Sequence, residues 1–87
     1  MARESVGRAE RFFEEFRDVV TRLESMPRLG RRIAHPDVVA LRRLPMRATR
    51  YHVYYVTDGD IVMILAVWSA VRGSGPDLGS VTFPGAG

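Results

Sequence analysis

Residues 51–68 read YHVYYVTDGDIVMILAVW, and this stretch decides the fold. Tyr51–Thr57 has aromatic and β-branched residues at every position but His52, the composition of a strand that fits a pleated, half-buried surface. Asp58-Gly59-Asp60 follows, and Asp-Gly is among the strongest short hairpin signals. Ile61–Trp68 is apolar at successive positions, as expected of a strand covered on at least one side. Together these segments predict an antiparallel hairpin. By the two-residue period of a strand, Tyr51, Val53 and Tyr55 share one face, while His52, Tyr54 and Val56 share the other.

Upstream, Val38–Leu44 is rich in β-branched and aliphatic residues and reads as a further strand, which Pro45 ends. Arg28–Asp37 reads as a basic connector, with Leu29-Gly30 as a turn. Residues 6–26 carry Ala9, Phe12, Phe13, Phe16, Val19, Val20, Leu23 and Met26 at helical spacing, so they predict an amphipathic helix. Ser5 is its candidate N-cap, and Pro27 stops it. Three phenylalanines exceed one narrow stripe; Phe13 and Phe16 are read as core and Phe12 as flanking. Downstream, Gly73–Gly87 holds five glycines and two prolines and reads as loop or disorder.

The expected architecture is therefore α+β: an N-terminal amphipathic helix packed on a three-stranded antiparallel sheet, with a Gly/Pro-rich C-terminal tail. Residues 1–78 form the domain and 79–87 the flexible tail. One helix covers one sheet face, which leaves the other to water or to a partner.

A chain of 87 residues buries only roughly 60% of its unfolded surface and is marginally stable. No cysteine is present, so disulfides, thiol catalysis and thiolate metal sites are excluded. Two histidines, His35 and His52, are too few for a histidine-built metal site, and no cofactor is called for. The first residues lack an apolar core of a signal peptide, and the longest apolar run is about half of the ~20 residues needed to span a bilayer. A soluble cytoplasmic protein without a membrane partner is expected. Every basic residue is arginine. Residues 26–57 hold seven arginines and one acid, Asp37, so positive charge gathers in the middle third and favours an acidic partner.

The segment 51–78, YHVYYVTDGDIVMILAVWSAVRGSGPDL, resembles the C-terminal half of ParE-type toxins of the RelE/ParE superfamily, toxins of bacterial type II toxin–antitoxin systems. The matching features are the aromatic strand, the Asp-containing turn, the apolar strand, and the tail Trp68-Ser69-Ala70-Val71-Arg72-Gly73-Ser74-Gly75-Pro76-Asp77-Leu78. Upstream, Ala9, Phe13, Leu23, Pro27 and Gly30-Arg31 are similar to the second helix of these toxins and the loop after it; Arg42-Arg43-Leu44-Pro45 resembles the next strand. The resemblance also implies an N-terminal strand and first helix, which are not found in these 87 residues.

What the resemblance implies for function is a ParE-like toxin that binds DNA gyrase without cleaving a bond and is neutralised by a cognate antitoxin, in a toxin–antitoxin hetero-oligomer. Arg42, Arg43, Arg47, Tyr54 and Trp68 are the candidate antitoxin- or target-binding residues. The RelE-like alternative is a ribosome-dependent mRNA endoribonuclease with Arg72, His52 and Arg50 as candidate catalytic residues. There guanidinium groups would stabilise phosphate charge and the imidazole would move a proton. Against catalysis, the tail lacks the extra tyrosine or lysine common in the RelE branch. A third reading is an inactive truncated remnant that acts only as a binding module. Each candidate also has a structural reading: solvated arginines, a histidine on the polar sheet face, and Trp68 packed at a strand end.

Overall fold

The structure, a computed structural model, describes residues 2–71, with side chains from Gly7 onward. One helix, α1 (Ala2–Ser25), precedes four strands: β1 (Arg31–Arg32), β2 (Arg42–Met46), β3 (Tyr51–Asp58) and β4 (Ile61–Ser69). They form one antiparallel sheet in the order β1-β2-β3-β4. The chain thus folds as a meander behind a single helix. Arg72 and the Gly/Pro-rich tail lie outside the described residues.

Helix α1 forms because Phe12, Phe16, Val19 and Leu23 recur at three- and four-residue spacing and meet the sheet along one line. Val19 and Leu23 are buried against Met46, Val53 and Tyr55. Each such side chain contributes about 1.5–3 kcal/mol on leaving water. The helix ends at Ser25, where Pro27 cannot continue it; Met26 N–H still donates to Arg22 O (2.8 Å) and Leu29 N–H turns back to Met26 O (3.1 Å).

The start of the helix and the split of its phenylalanines differ from expectation. Ser5 lies inside α1 and not at its cap, because the helix runs from Ala2. Phe12, not Phe13, is the inward residue: it stacks on Phe16 (centroids 6.1 Å apart) and meets Tyr51 edge-on at 5.0 Å. Phe13 is 59% exposed. Phe12, Phe16, Val19 and Leu23 already fill the line facing the sheet, and Phe13 falls about 100° away from Phe12 around the axis.

β3 is the central strand, and it buries Val53 and Tyr55 under α1 and Tyr54 on the opposite face. The hairpin turn forms at Gly59, which takes a positive φ of 61° that a side chain would resist. A bulge breaks the β3–β4 register: Tyr54 pairs with Ala66 and Tyr55 with Ile64, which leaves Leu65 without a β3 partner. Leu65 and Ala66 then both pack on the side of Tyr54.

The sheet has four strands where three were expected. β1 is two residues long, arginine-only and set in a connector, so no alternation announces it. The strand expected at Val38–Leu44 instead runs Arg42–Met46 and includes Pro45. Beside Pro45 the sheet has no β1 neighbour, because β1 reaches only Arg42 and Arg43, and on such an edge a proline N is tolerated. Val38 and Leu41 are buried all the same, as the anchors of a loop, 33–41, that lies over Tyr54. Ile33 N–H donates to Leu41 O (3.0 Å) and closes this loop, and Ala40 takes a φ of 58° within it. The second sheet face is therefore partly roofed by the chain itself.

Two polar ties hold these layers. Gly30 N–H donates to the hydroxyl of buried Tyr55 at 2.7 Å, and a Cβ at Gly30 would stand 2.7 Å from that oxygen. Glu15 on α1 accepts from Ala48 N–H (2.8 Å), Thr49 N–H (3.0 Å) and the Thr49 hydroxyl (2.7 Å), so the helix clamps the β2–β3 turn. Burial alone would raise the Glu15 pKa; the bonds from Thr49 and Ala48 outweigh it and leave the net shift downward.

Tyr55→Phe is expected to destabilise the fold by about 1–2 kcal/mol, because it strands a buried N–H. Gly30→Ala is expected to cost about 1–3 kcal/mol by overpacking against a side chain with no room to move. Denaturant unfolding midpoints check both, and a neutral Gly30→Ala would contradict the close approach. The Glu15 contribution is fully present above the unfolded-state pKa and is lost as pH falls through the lower folded-state value. Stability of the wild type relative to Glu15→Gln should accordingly shrink on acidification, read as a narrowing difference in midpoint.

Candidate binding surface

The strand register sets the arginines in rows. Both rungs of the β1–β2 ladder pair arginine with arginine: Arg31 with Arg43, and Arg32 with Arg42. Like charges directly opposite one another cost up to about 1 kcal/mol per pair. The Arg42 guanidinium is partly accommodated, since its Nη1 donates to Gly30 O (2.7 Å) and Arg28 O (3.2 Å). Arg42 thereby joins the connector after α1 to β2. Arg31 and Arg32 are exposed and Arg43 half-buried.

Alternation puts Arg31 and Arg43 on the face that also holds His52, Tyr54 and Trp68. Of the candidates read from the sequence, this face gathers Arg43, His52, Tyr54 and Trp68. Tyr54 is only 6% exposed under the 33–41 loop, so a partner reaches it only if that loop moves. The His52 ring stands 6.3 Å from the Tyr54 ring, nearly perpendicular to it. Trp68 is opposite His52 on β4 and packs against the Val38–Leu41–Tyr54 cluster.

Partial burial and the nearby Arg43 charge both lower the His52 pKa, which favours the neutral imidazole, the form that accepts a proton.

Arg47 and Arg50 lie at one end of the sheet, in the β2–β3 turn. With Pro45, His52 and Val71 they line a shallow depression of about 270 Å³. Arg50 holds a φ of 62°, unusual for a residue with a side chain, and its backbone is pinned at both ends: N–H to Met46 O and O from Ala70 N–H, each 2.8 Å. Arg72 lies outside the described residues.

A second depression, of about 510 Å³, flanks the first across Tyr51. Its walls are Phe12, Phe13, Tyr51 and the 48–49 turn, and its rim carries Arg8 and Arg11. The sequence reading missed this groove and the Arg31 row. The surplus of phenylalanines signals the groove, but no signal in the sequence announces a two-residue strand. An apolar slot with arginines on both sides suits an amphipathic acidic segment.

Arg43→Met is expected to raise the His52 pKa part of the way to its ordinary value, because burial persists when the charge goes. An NMR titration of the imidazole checks this; an unmoved titration would place Arg43 too far away to act.

No curated protein and no solved structure matches the chain in the corresponding comparisons. One family model does match, described as the ParE toxin of the type II toxin–antitoxin system parDE, and it covers residues 1–72. The helix, the antiparallel meander and the arginine-lined surface are thus those of a chain that belongs to the ParE toxin family.

Proposed function

We propose that the chain is the toxin of a type II toxin–antitoxin pair, that it arrests growth in the cytoplasm by binding DNA gyrase, and that a cognate antitoxin neutralises it. Family membership supports the toxin role. The observation that carries a binding mode is the apolar depression at Phe12, Phe13 and Tyr51, with arginines on both of its flanks. The antitoxin segment that fits is acidic and amphipathic. Its apolar side enters the groove at Phe12, Phe13 and Tyr51, and its acids meet Arg47 and Arg50 on one flank and Arg8 and Arg11 on the other.

One observation favours the nuclease reading as the alternative. His52 shares a depression with Arg47 and Arg50, and burial and the Arg43 charge shift it towards its neutral form. Such a group accepts the proton of a ribose 2′-hydroxyl while guanidinium groups hold the phosphate.

Induced expression separates the readings. Filamentation with DNA damage, and loss of supercoiling by purified gyrase on adding the chain, is the expected result. Rapid mRNA loss that His52→Ala abolishes would assign it to RNA cleavage, and unimpaired growth would mark an inactive binding module. With the product of the neighbouring reading frame as antitoxin, Arg47→Glu with Arg50→Glu should weaken binding about tenfold or more at low salt, with a smaller difference at high salt. Equal affinities at low salt would exclude this end of the sheet from the interface.

A further inference from the structure

Positive charge forms a track on the sheet face turned away from α1. The Arg31–Arg43 rung begins it, on the row that continues to Tyr54 and Ala66. One two-residue step along β2, roughly 7 Å, lies the Pro45–His52 rung of the same face. Arg47 and Arg50 come next, in the depression that Pro45 and His52 also line. Among the described residues, none of these guanidinium groups has a hydrogen bond or salt bridge. The acids of the described chain lie elsewhere: on α1, at Asp58 and Asp60 by the hairpin turn, and at Asp37 on the 33–41 loop. Arg50 is also preset. Its left-handed backbone is bonded on both sides, and strain of that kind gathers at binding positions.

We infer that this track binds the phosphate backbone of duplex DNA, without regard to sequence. A guanidinium fork takes two phosphate oxygens, and each strand of a duplex offers one phosphate per about 3.4 Å of axis, so a line of arginines meets a line of phosphates. The rings of this face are covered. Tyr54 is buried, and Trp68 packs with it against Val38 and Leu41. Proteins that take single strands lay the bases on exposed rings. A face with open charge and covered rings suits bases already stacked on one another. Arg31, Arg43, Pro45, Arg47, Arg50 and His52 also include no hydroxyl or amide side chain to read a ribose 2′-hydroxyl, the group by which RNA is told from DNA.

A protein partner draws most of its affinity from buried aromatic or apolar anchors, and the groove that supplies them, at Phe12, Phe13 and Tyr51, is on the helix side. Binding to a nucleic-acid backbone needs charge alone. Such binding requires neither gyrase nor an antitoxin. The Arg31–Arg43 rung faces away from that groove, so a segment seated in the groove leaves the rung open to DNA.

Fluorescence anisotropy with a labelled DNA duplex of arbitrary sequence tests this. With about four phosphates neutralised, the affinity should fall about a hundredfold between about 50 and 200 mM salt. Arg31→Gln with Arg43→Gln should weaken binding about tenfold at the lower salt and reduce the fall to about tenfold. Arg31→Gln alone, at an exposed residue, should take about one contact from the salt slope. Arg17→Gln with Arg22→Gln removes the same charge from exposed positions on α1 and should leave both the affinity and its salt dependence near wild type. Wild-type circular dichroism establishes that the variants fold. A wild type that leaves the duplex unbound at the lower salt overturns the proposal. So do equal losses in the two double variants, which would reduce the effect to net charge, or RNA or polyglutamate that competes better than the duplex.

Discussion

The hydrogen bond from Gly30 N–H to the Tyr55 hydroxyl is the constraint on which the rest of the structure turns. Tyr55 sits fully buried on the central strand, under the helix, so its hydroxyl needs a partner in a place where water does not reach. Gly30 supplies it, and Gly30 O accepts from Arg42 in turn. Both polar groups of one residue are thereby held by side chains from two neighbouring strands. The chain leaving the helix has little choice but to run beside β2, and β1 forms where it does. Among the described residues, no buried side-chain nitrogen or oxygen lacks a partner. Without the hydroxyl, the connector would lose one of the two side-chain ties, with Arg42, that fix its path beside β2.

The parts of the fold legible in the sequence are those with a strong period. The helical stripe and the 51–68 hairpin are periodic over many residues, and both stand where the pattern puts them. The faces of β3 follow as well: Val53 and Tyr55 lie under the helix and Tyr54 on the other side. The illegible parts depend on tertiary contact. Val38 and Leu41 look like strand residues because they are apolar, yet they are buried as loop anchors, and burial alone does not distinguish the two. Pro45 reads as a strand breaker until the register shows that its outer flank has no neighbour. The bulge at Leu65 shifts which residues of β4 share a side, and no residue type there announces it.

For the candidate residues the same division holds. Arg43 and His52 come together because strand alternation is readable from sequence. Arg42 turns to the opposite face and binds backbone carbonyls, so its immediate work is to hold the connector. The contribution of Arg31 depends on a strand that only three-dimensional pairing creates. Phe12 and Phe13 are neighbours in sequence with opposite fates, since a helix separates adjacent residues by about 100°. The surplus aromatic that the core cannot hold becomes one wall of a groove.

The all-arginine composition has a chemical consequence. A guanidinium keeps its proton throughout the range in which proteins fold, so on this surface acidity changes the charge of His52 and not that of the arginines. Acylation of amines, the common covalent way to erase positive charge, has no lysine side chain on which to act. The field is therefore beyond the reach of lysine acylation, and a bound counter-charge or dissolved electrolyte is what screens it. On the function proposed above, release of the chain then depends on how long a neutralising partner stays bound and not on acidity or lysine acylation.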